Sequence, residues 1–222
     1  PACLRVGRSR LRSSMGIADR LAVTSVPDLY LASTSPRRRA LLAAACIPFA
    51  LCEPGPEYLP GSGDEHTSVL GDPVALATER ARRKGLGAEP PDPGRPVLAV
   101  DTVVDLDGLE LGKPSDRAHA ERMLRQLAGR THRVHTAHCL SLPSRGLYVE
   151  EVSHATVRCG PVVEASLQRY LDSGQWRGKA GSYGMQDDAQ DFFALVDGAF
   201  DTVVGLHVPA VHRLLAALRR RS

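Results

Sequence analysis

Apolar positions along this chain follow two rhythms. Short runs rich in β-branched and aliphatic residues read as strands: Leu29–Ser33, "VLAVDTVVDL" (Val97–Leu106), and the long pair Thr131–Leu142 and Leu147–Arg158 joined by "PSRG". Asp107-Gly108 is a hairpin turn returning through "LEL". "FFALV" and "TVVGL" read as two more strands around an Asp-Gly turn.

The second rhythm is helical. Ser35 is an N-cap and Pro36 fits the first helical position of a helix over Arg37–Ala45, with Leu41, Leu42 and Ala45 inward. Asp72-Pro73 opens "PVALATERARRKGLG", stopped by Gly85 and Gly87. Ser115 or Asp116 caps a helix to Ala128, in which Ala120, Met123, Leu124 and Leu127 repeat at i, i+3, i+4, i+7. Glu164–Asp172 and Ala210–Arg220 complete the set. "PGPEYLPGSGDEH", "AEPPDPGRP" and "SGQWRGKAGSYG" are breaker-rich loops. Strands alternate with helices and several strands form hairpins, which predicts an α/β fold on a mixed sheet.

Composition narrows the class. The 222 residues are 43% apolar and 24% charged, as in a soluble globular protein of one large or two small domains. Residues 1–27 carry Arg5, Arg8, Arg10 and Arg12 with no acid before Asp19, and read as a basic, disordered extension before one domain over 28–222. The formal charge of +3 does not call for nucleic acid but suits a small anion. Aromatics are only 5% and no RNA-binding motif is visible. No apolar run approaches the ~20 residues of a membrane span. The five cysteines form no CxxC pair and read as reduced thiols of a cytoplasmic protein.

Candidate chemistry sits in four places. In "LASTSPRRRALL", three arginines follow a helix start, where the dipole disfavours cations. Free N–H groups there, hydroxyls of Ser33, Thr34 and Ser35, and the guanidinium forks of Arg37–Arg39 together make an anion site; three solvated arginines are the plainer alternative. Asp101 interrupts an otherwise buried strand and needs a cation, a metal or hydrogen bonds. Period two puts Asp101, Val103 and Asp105 on one face. The hairpin returns Lys113 of "LGKP" toward Asp101, to neutralise it or to hold a phosphate. "KAGSYGMQ" offers Lys179, close-approach glycines around Tyr183, and the Gln186 amide, unless it is only a surface loop. His132, His135 and His138 mimic a metal triplet, but on a strand His135 points away from the other two.

In this order the segments resemble the Maf family of nucleoside triphosphate pyrophosphatases, once described as septum formation proteins. "LYLASTSPRRRALL" is similar to the family's "LASxSPRRxELL", "VDTVVDLDGLELGKP" to "ADTVVxxxGxxLGKP", "AERMLRQLAGRTHRVHTAHCL" to "AxxMLxxLSGxxHxVxTxV", and "KAGSYGMQ" to "KAGAYGIQ". The likeness spans about Leu29 to Leu218.

The resemblance implies an inosine-triphosphate-pyrophosphatase-like fold, an elongated mixed sheet with flanking helices and two lobes around a cleft, usually as a homodimer. It implies hydrolysis of dTTP or UTP, including modified pyrimidines, to monophosphate and pyrophosphate with Mg²⁺ or Mn²⁺. Carried over by position, Asp101 is the general base and a metal ligand. Ser33, Arg37, Arg38 and Lys113 bind phosphate, and Gln186 reads the base. Arg80 stands where the family's "LAxxKA" has lysine, with Lys84 one turn on to compensate. Glu57 substitutes for the family's second acid, because Tyr58 occupies that acid's aligned position. Asp187 replaces a usual glycine and His207 a usual proline. A nucleotide-binding regulator of cell division with weak or no catalysis is the alternative these departures leave open.

Overall fold

The structure, a computed structural model, describes residues 27–56, 72–187 and 192–221; nearly all of the basic segment 1–27 lies outside them, as do Glu57 and Tyr58. Strand β1 (Leu29–Ala32) leads to helix α1 (Pro36–Ala44), strand β2 (Phe49–Cys52), helix α2 (Pro73–Leu86), and strands β3 (Val97–Leu106) and β4 (Leu109–Leu111). Helix α3 (Arg117–Leu127), strands β5 (Thr131–Leu142) and β6 (Leu147–Cys159), helix α4 (Glu164–Ser173), strand β7 (Phe193–Gly198), and helices α5 (Phe200–Val204) and α6 (Val208–Arg219) follow.

Capping residues start α1, α2 and α3 where the sequence expects them. Ser35 accepts from the Arg38 N–H, and Asp72 from those of Val74 and Ala75 at 2.9 and 3.2 Å. Asp116, rather than Ser115, caps α3 by accepting from the His119 N–H at 2.7 Å. Strand β2 is absent from the hydrophobic pattern because its side chains are only partly covered. Pairing with β1, Leu29 opposite Phe49, makes it a strand.

Among the described residues the sheet has seven strands in the order β2-β1-β3-β5-β6-β7, with β4 beside β3. β2 and β3 run parallel to β1; the remaining pairs are antiparallel. The mixed α/β sheet with flanking helices is therefore as expected.

Strand β3 organises everything around it. One edge pairs continuously with β5 from Val97 to Asp105. The other edge pairs with β1 over Val97–Ala99 and with β4 over Val104–Leu106. Between those two pairings lie Val100 to Val103, with Asp101 and Thr102 at the centre.

Alternation along β3 separates the layers. Leu98 and Val100 join a core with Leu29, Leu31, Leu42, Leu140, Val211 and Leu214. Val104 and Leu106, on the same face, join a second core with Leu124, Leu127, Leu167, Tyr170, Trp176 and Phe193. Polar Thr102 stands between the two. On the opposite face, Ala77 and Ala81 of α2 pack on Val103, Ala137 and Cys139. These small residues let the helix come close: a Cβ on Gly85 would meet the Cys139 Sγ at 3.2 Å. No described helix is long and apolar enough to cross a membrane.

The segment "TVVGL" departs from the expected strand. Its first three residues end α5, a short helix bracketed by Gly198 and Gly205, both at positive φ. Thr136 donates to the Thr202 carbonyl at 2.8 Å, and Arg38 Nε to the Gly205 carbonyl at 2.8 Å. Tertiary partners thus override the β-propensity of Thr202, Val203 and Val204.

A buried histidine joins α6 to the sheet. His138 Nε2 accepts from the His207 N–H at 2.9 Å, while Nδ1 lies 3.2 Å from the Glu151 carbonyl. That pairing needs the neutral ring, and burial pushes its pKa down to about 4. The unfolded chain therefore binds more protons between about pH 6.5 and 4, so this stability is complete above 6.5 and is lost as pH falls through 4. In urea unfolding, we expect stability to drop between pH 7 and 4.5. The drop should be smaller in His138→Gln by up to about 3 kcal/mol; equal drops would refute the assignment.

Candidate active site

The gap on the free edge of β3 opens into a cleft of about 440 Å³. β1 delivers Ser33, Thr34 and Ser35 to one side of it, and β4 delivers Gly112 and Lys113 to the other. Both sides converge on Asp101 and Thr102.

Residues of the opening motif play different parts. Ser33 Oγ accepts from the Ser35 N–H and from Arg38 Nη1, both at 3.2 Å. Arg38 also donates to Thr102 Oγ1 at 3.2 Å and to the Gly205 carbonyl, so its guanidinium braces β1, β3 and α5. Gly205 sits at φ 115°, and a Cβ there would come within 3.2 Å of Thr102 Oγ1. Arg37 is half-buried on the cleft wall; burial lowers its pKa, against the charge of Asp187. Arg39 is exposed to solvent and does not line the cleft.

The cleft floor is built from two ion pairs supplied by one helix. Arg80 and Lys84, one turn apart on α2, point toward the sheet. Lys84 Nζ lies 2.7 Å from Asp101 Oδ1, with both side chains under a tenth exposed. Arg80 pairs with Glu110 of β4, itself 3% exposed. Of the two roles the hairpin offers Lys113, neutralising Asp101 is filled by Lys84; Lys113 lines the cleft, where it can hold a phosphate. Removing one partner from a buried pair costs about 3–5 kcal/mol, so each charge needs the other. Asp101 Oδ2 is buried and accepts no hydrogen bond among the described residues.

The glycine-rich loop closes the far wall and is packed rather than loose. Gly181 donates to the Gly112 carbonyl at 3.1 Å, and a Cβ on it would meet the Val104 side chain at 3.1 Å. Its close approach is therefore to the β3–β4 hairpin. Tyr183 is buried, stacked on Phe193 with centroids 3.8 Å apart, and its hydroxyl lies 2.6 Å from His132 Nε2. Tyr183 lines the cleft together with Lys179, Gly184, Met185 and Gln186. Lys179 pairs with Asp187, whose Oδ2 also lies 3.2 Å from the Tyr170 hydroxyl.

The three histidines of β5 serve three separate neighbourhoods. His132 meets Tyr183, and His138 meets His207. His135 lies 2.7 Å from His154 and 3.2 Å from Asp105. No group of three or more His, Cys, Asp or Glu among the described residues is placed to hold a metal by itself.

Ser33, Arg37, Arg38, Arg80, Asp101, Lys113 and Gln186 therefore all border one cleft. Glu57 lies outside the described residues. Sequence reading missed Glu110, Thr102 and the Lys179–Asp187 pair. The i, i+4 spacing of Arg80 and Lys84 was the available signal that one helix face would carry two cations to the sheet.

Residues 28–218 match the family described as Maf-like protein. A dTTP/UTP pyrophosphatase of Thermus thermophilus is 46% identical over 191 residues, covering 86% of this chain and 95% of that one. A dTTP/UTP pyrophosphatase of Burkholderia thailandensis is 40% identical over 207 residues, covering 90% and 97%. A solved structure of a HAM1 protein from Coxiella burnetii aligns with a TM-score of 0.40 at 16% identity, covering 88% of this chain and 100% of that one. The ordered motifs around the cleft and the match over nearly the whole described chain have one reading: the chain belongs to the family of Maf-like proteins.

Proposed function

We propose that this protein is a nucleoside triphosphate pyrophosphatase acting on dTTP and UTP, yielding the monophosphate and pyrophosphate. Its relatives of 40–46% identity bear that activity in their names and align over almost their full length. The observation that carries the reading is Asp101: a buried carboxylate bordering a cleft lined by Ser33, Arg37, Lys113 and Lys179, balanced by Lys84 on Oδ1 and with Oδ2 unpartnered among the described residues.

In the proposed reaction the triphosphate lies across the cations, with hydroxyls and guanidinium forks taking its non-bridging oxygens. The Asp101 carboxylate accepts a proton from water as that water's oxygen bonds to the α-phosphorus. The bridge between the α- and β-phosphates breaks, and pyrophosphate leaves with the bridging oxygen. Arg37 and Lys113 offset the negative charge that grows on the phosphoryl oxygens. Arg38 and Arg80 add positive potential while bracing the walls through Ser33, Thr102 and Glu110. Gln186 presents an amide that can donate to and accept from a pyrimidine edge.

A divalent ion fits these residues. Mg²⁺ is commonly held by one or two carboxylates together with substrate phosphates, and the Asp101 carboxylate, which borders the cleft and has one oxygen without a partner among the described residues, would supply such a ligand. Glu57 is the second ligand proposed from the resemblance. When bound, Mg²⁺ or Mn²⁺ would neutralise phosphate charge and polarise the scissile phosphoryl group. The resemblance also leads us to propose a homodimer in the cytoplasm.

With a panel of nucleotides and Mg²⁺, we expect dTTP and UTP to yield monophosphate and pyrophosphate in equal amounts, ahead of ATP and GTP. Release of orthophosphate, or binding with no turnover, would overturn the assignment. Asp101→Asn should lower kcat by at least about 100-fold, with the nucleotide still bound; retained turnover would remove Asp101 from the role of base. Chelation by EDTA should abolish activity, and Mg²⁺ or Mn²⁺ should restore it in the wild type but not in Asp101→Asn. Full activity in EDTA would exclude the ion.

A further inference from the structure

The cations of the cleft do not all face it in the same way. Lys84 and Arg80 are balanced from below, by Asp101 and Glu110 of the sheet. Lys179 is balanced from the side, by Asp187, three residues beyond Gly184 in its own loop. The Asp187 carboxylate is well defined in position. Its N–H donates to the Gly184 carbonyl at 3.1 Å, closing a turn. The Tyr170 hydroxyl, projecting from α4, lies 3.2 Å from Oδ2 and 3.1 Å from the Ser182 carbonyl, and its one proton is shared between them. A Cβ on Gly184 would come within 2.8 Å of that same oxygen and 3.2 Å of Lys179 Nζ, so the absence of a side chain there keeps the pair together. From α1, Arg37 feels the Asp187 charge as well.

One carboxylate thus pairs with Lys179 and acts through its charge on Arg37, two cations that line the cleft from different elements. Its local charge environment is the one a phosphate would seek. We propose that Asp187 is an internal anion that competes with substrate phosphates for Lys179 and Arg37. It sets the affinity and makes the cleft discriminate by charge. A triphosphate carries enough negative charge to displace a single carboxylate from these cations; a phosphate group with less charge displaces it poorly. This rests on the reading of the cleft as a polyphosphate site. No covalent step is involved: an intramolecular ion pair is exchanged for an intermolecular one.

Binding of inorganic tripolyphosphate and of orthophosphate, measured by titration calorimetry without metal, tests the competition. Asp187→Asn keeps the size of the side chain and an oxygen for the Tyr170 hydroxyl while removing the charge. We expect it to bind tripolyphosphate about fivefold to tenfold tighter than wild type, with a larger relative gain for orthophosphate. In a Lys179→Gln background that gain should shrink, because the share of the competition that acts through Lys179 is gone. Tyr170→Phe, which loosens the carboxylate without altering charge, should shift affinity in the same direction by less. Circular dichroism and thermal melts of each variant identify loss of fold.

Unchanged or weaker tripolyphosphate binding by folded Asp187→Asn would overturn the competition and leave Asp187 as a support that holds Lys179 in place. Undiminished gain in the Lys179→Gln background would overturn it too. Failure of the wild type and every variant to bind tripolyphosphate would instead sink the polyphosphate reading of the cleft, and this inference with it.

Discussion

A carboxylate inside a buried strand is the constraint from which the site follows. Asp101 cannot remain in β3 as an unbalanced charge, because the desolvation of one ion costs several kcal/mol. Lys84 answers it from α2 at 2.7 Å. That contact positions more than a charge: it sets α2 above the sheet with its small residues against Val103, Ala137 and Cys139. The same helix, one turn earlier, then delivers Arg80 to Glu110. Two ion pairs thus tie a helix to adjacent strands, leaving one oxygen of Asp101 without a partner among the described residues.

The sheet has a matching opening. β3 is covered along one edge by β5, while β1 and β4 share its other edge and leave the middle of that edge between them. On the face away from α2, the two apolar cores lie to either side of Thr102. Polar residues at the strand centre are therefore stable where a continuous sheet would have penalised them. Arg38 bridges this region through Ser33, Thr102 and Gly205, which couples the opening motif to the glycine of "VVGL" far along the chain.

The three consecutive arginines that stood out as a conflict with helix electrostatics resolve into three environments. Arg37 is drawn half out of water on the cleft wall. Arg38 serves as an internal brace, and Arg39 is solvated. Periodicity could not tell them apart, since adjacent helical positions diverge by about 100° and their fates depend on what each direction meets. The error at "TVVGL" has the same origin. β-branched residues favour strands on average, but Thr136 and Arg38 offer hydrogen bonds to its backbone that no neighbouring strand supplies. Strand β2, with its weak pattern, became a strand only because β1 presented an edge to pair with.

The sequence alone determined the local grammar of this protein. Ser35 and Asp72 cap helices, the apolar repeats define the long strands and α3, and the ordered motifs resemble those of a nucleotide pyrophosphatase family, because caps, periods and motifs are local properties of the chain. Tertiary structure decided which charges meet. Lys84 rather than Lys113 lies against Asp101, Glu110 answers Arg80, and Asp187 occupies Lys179. Two of these three pairings cross between elements, and the third needs a loop held shut by Tyr170 of α4. Ion pairs form by distance in space, and only the folded sheet brings those side chains within reach of one another.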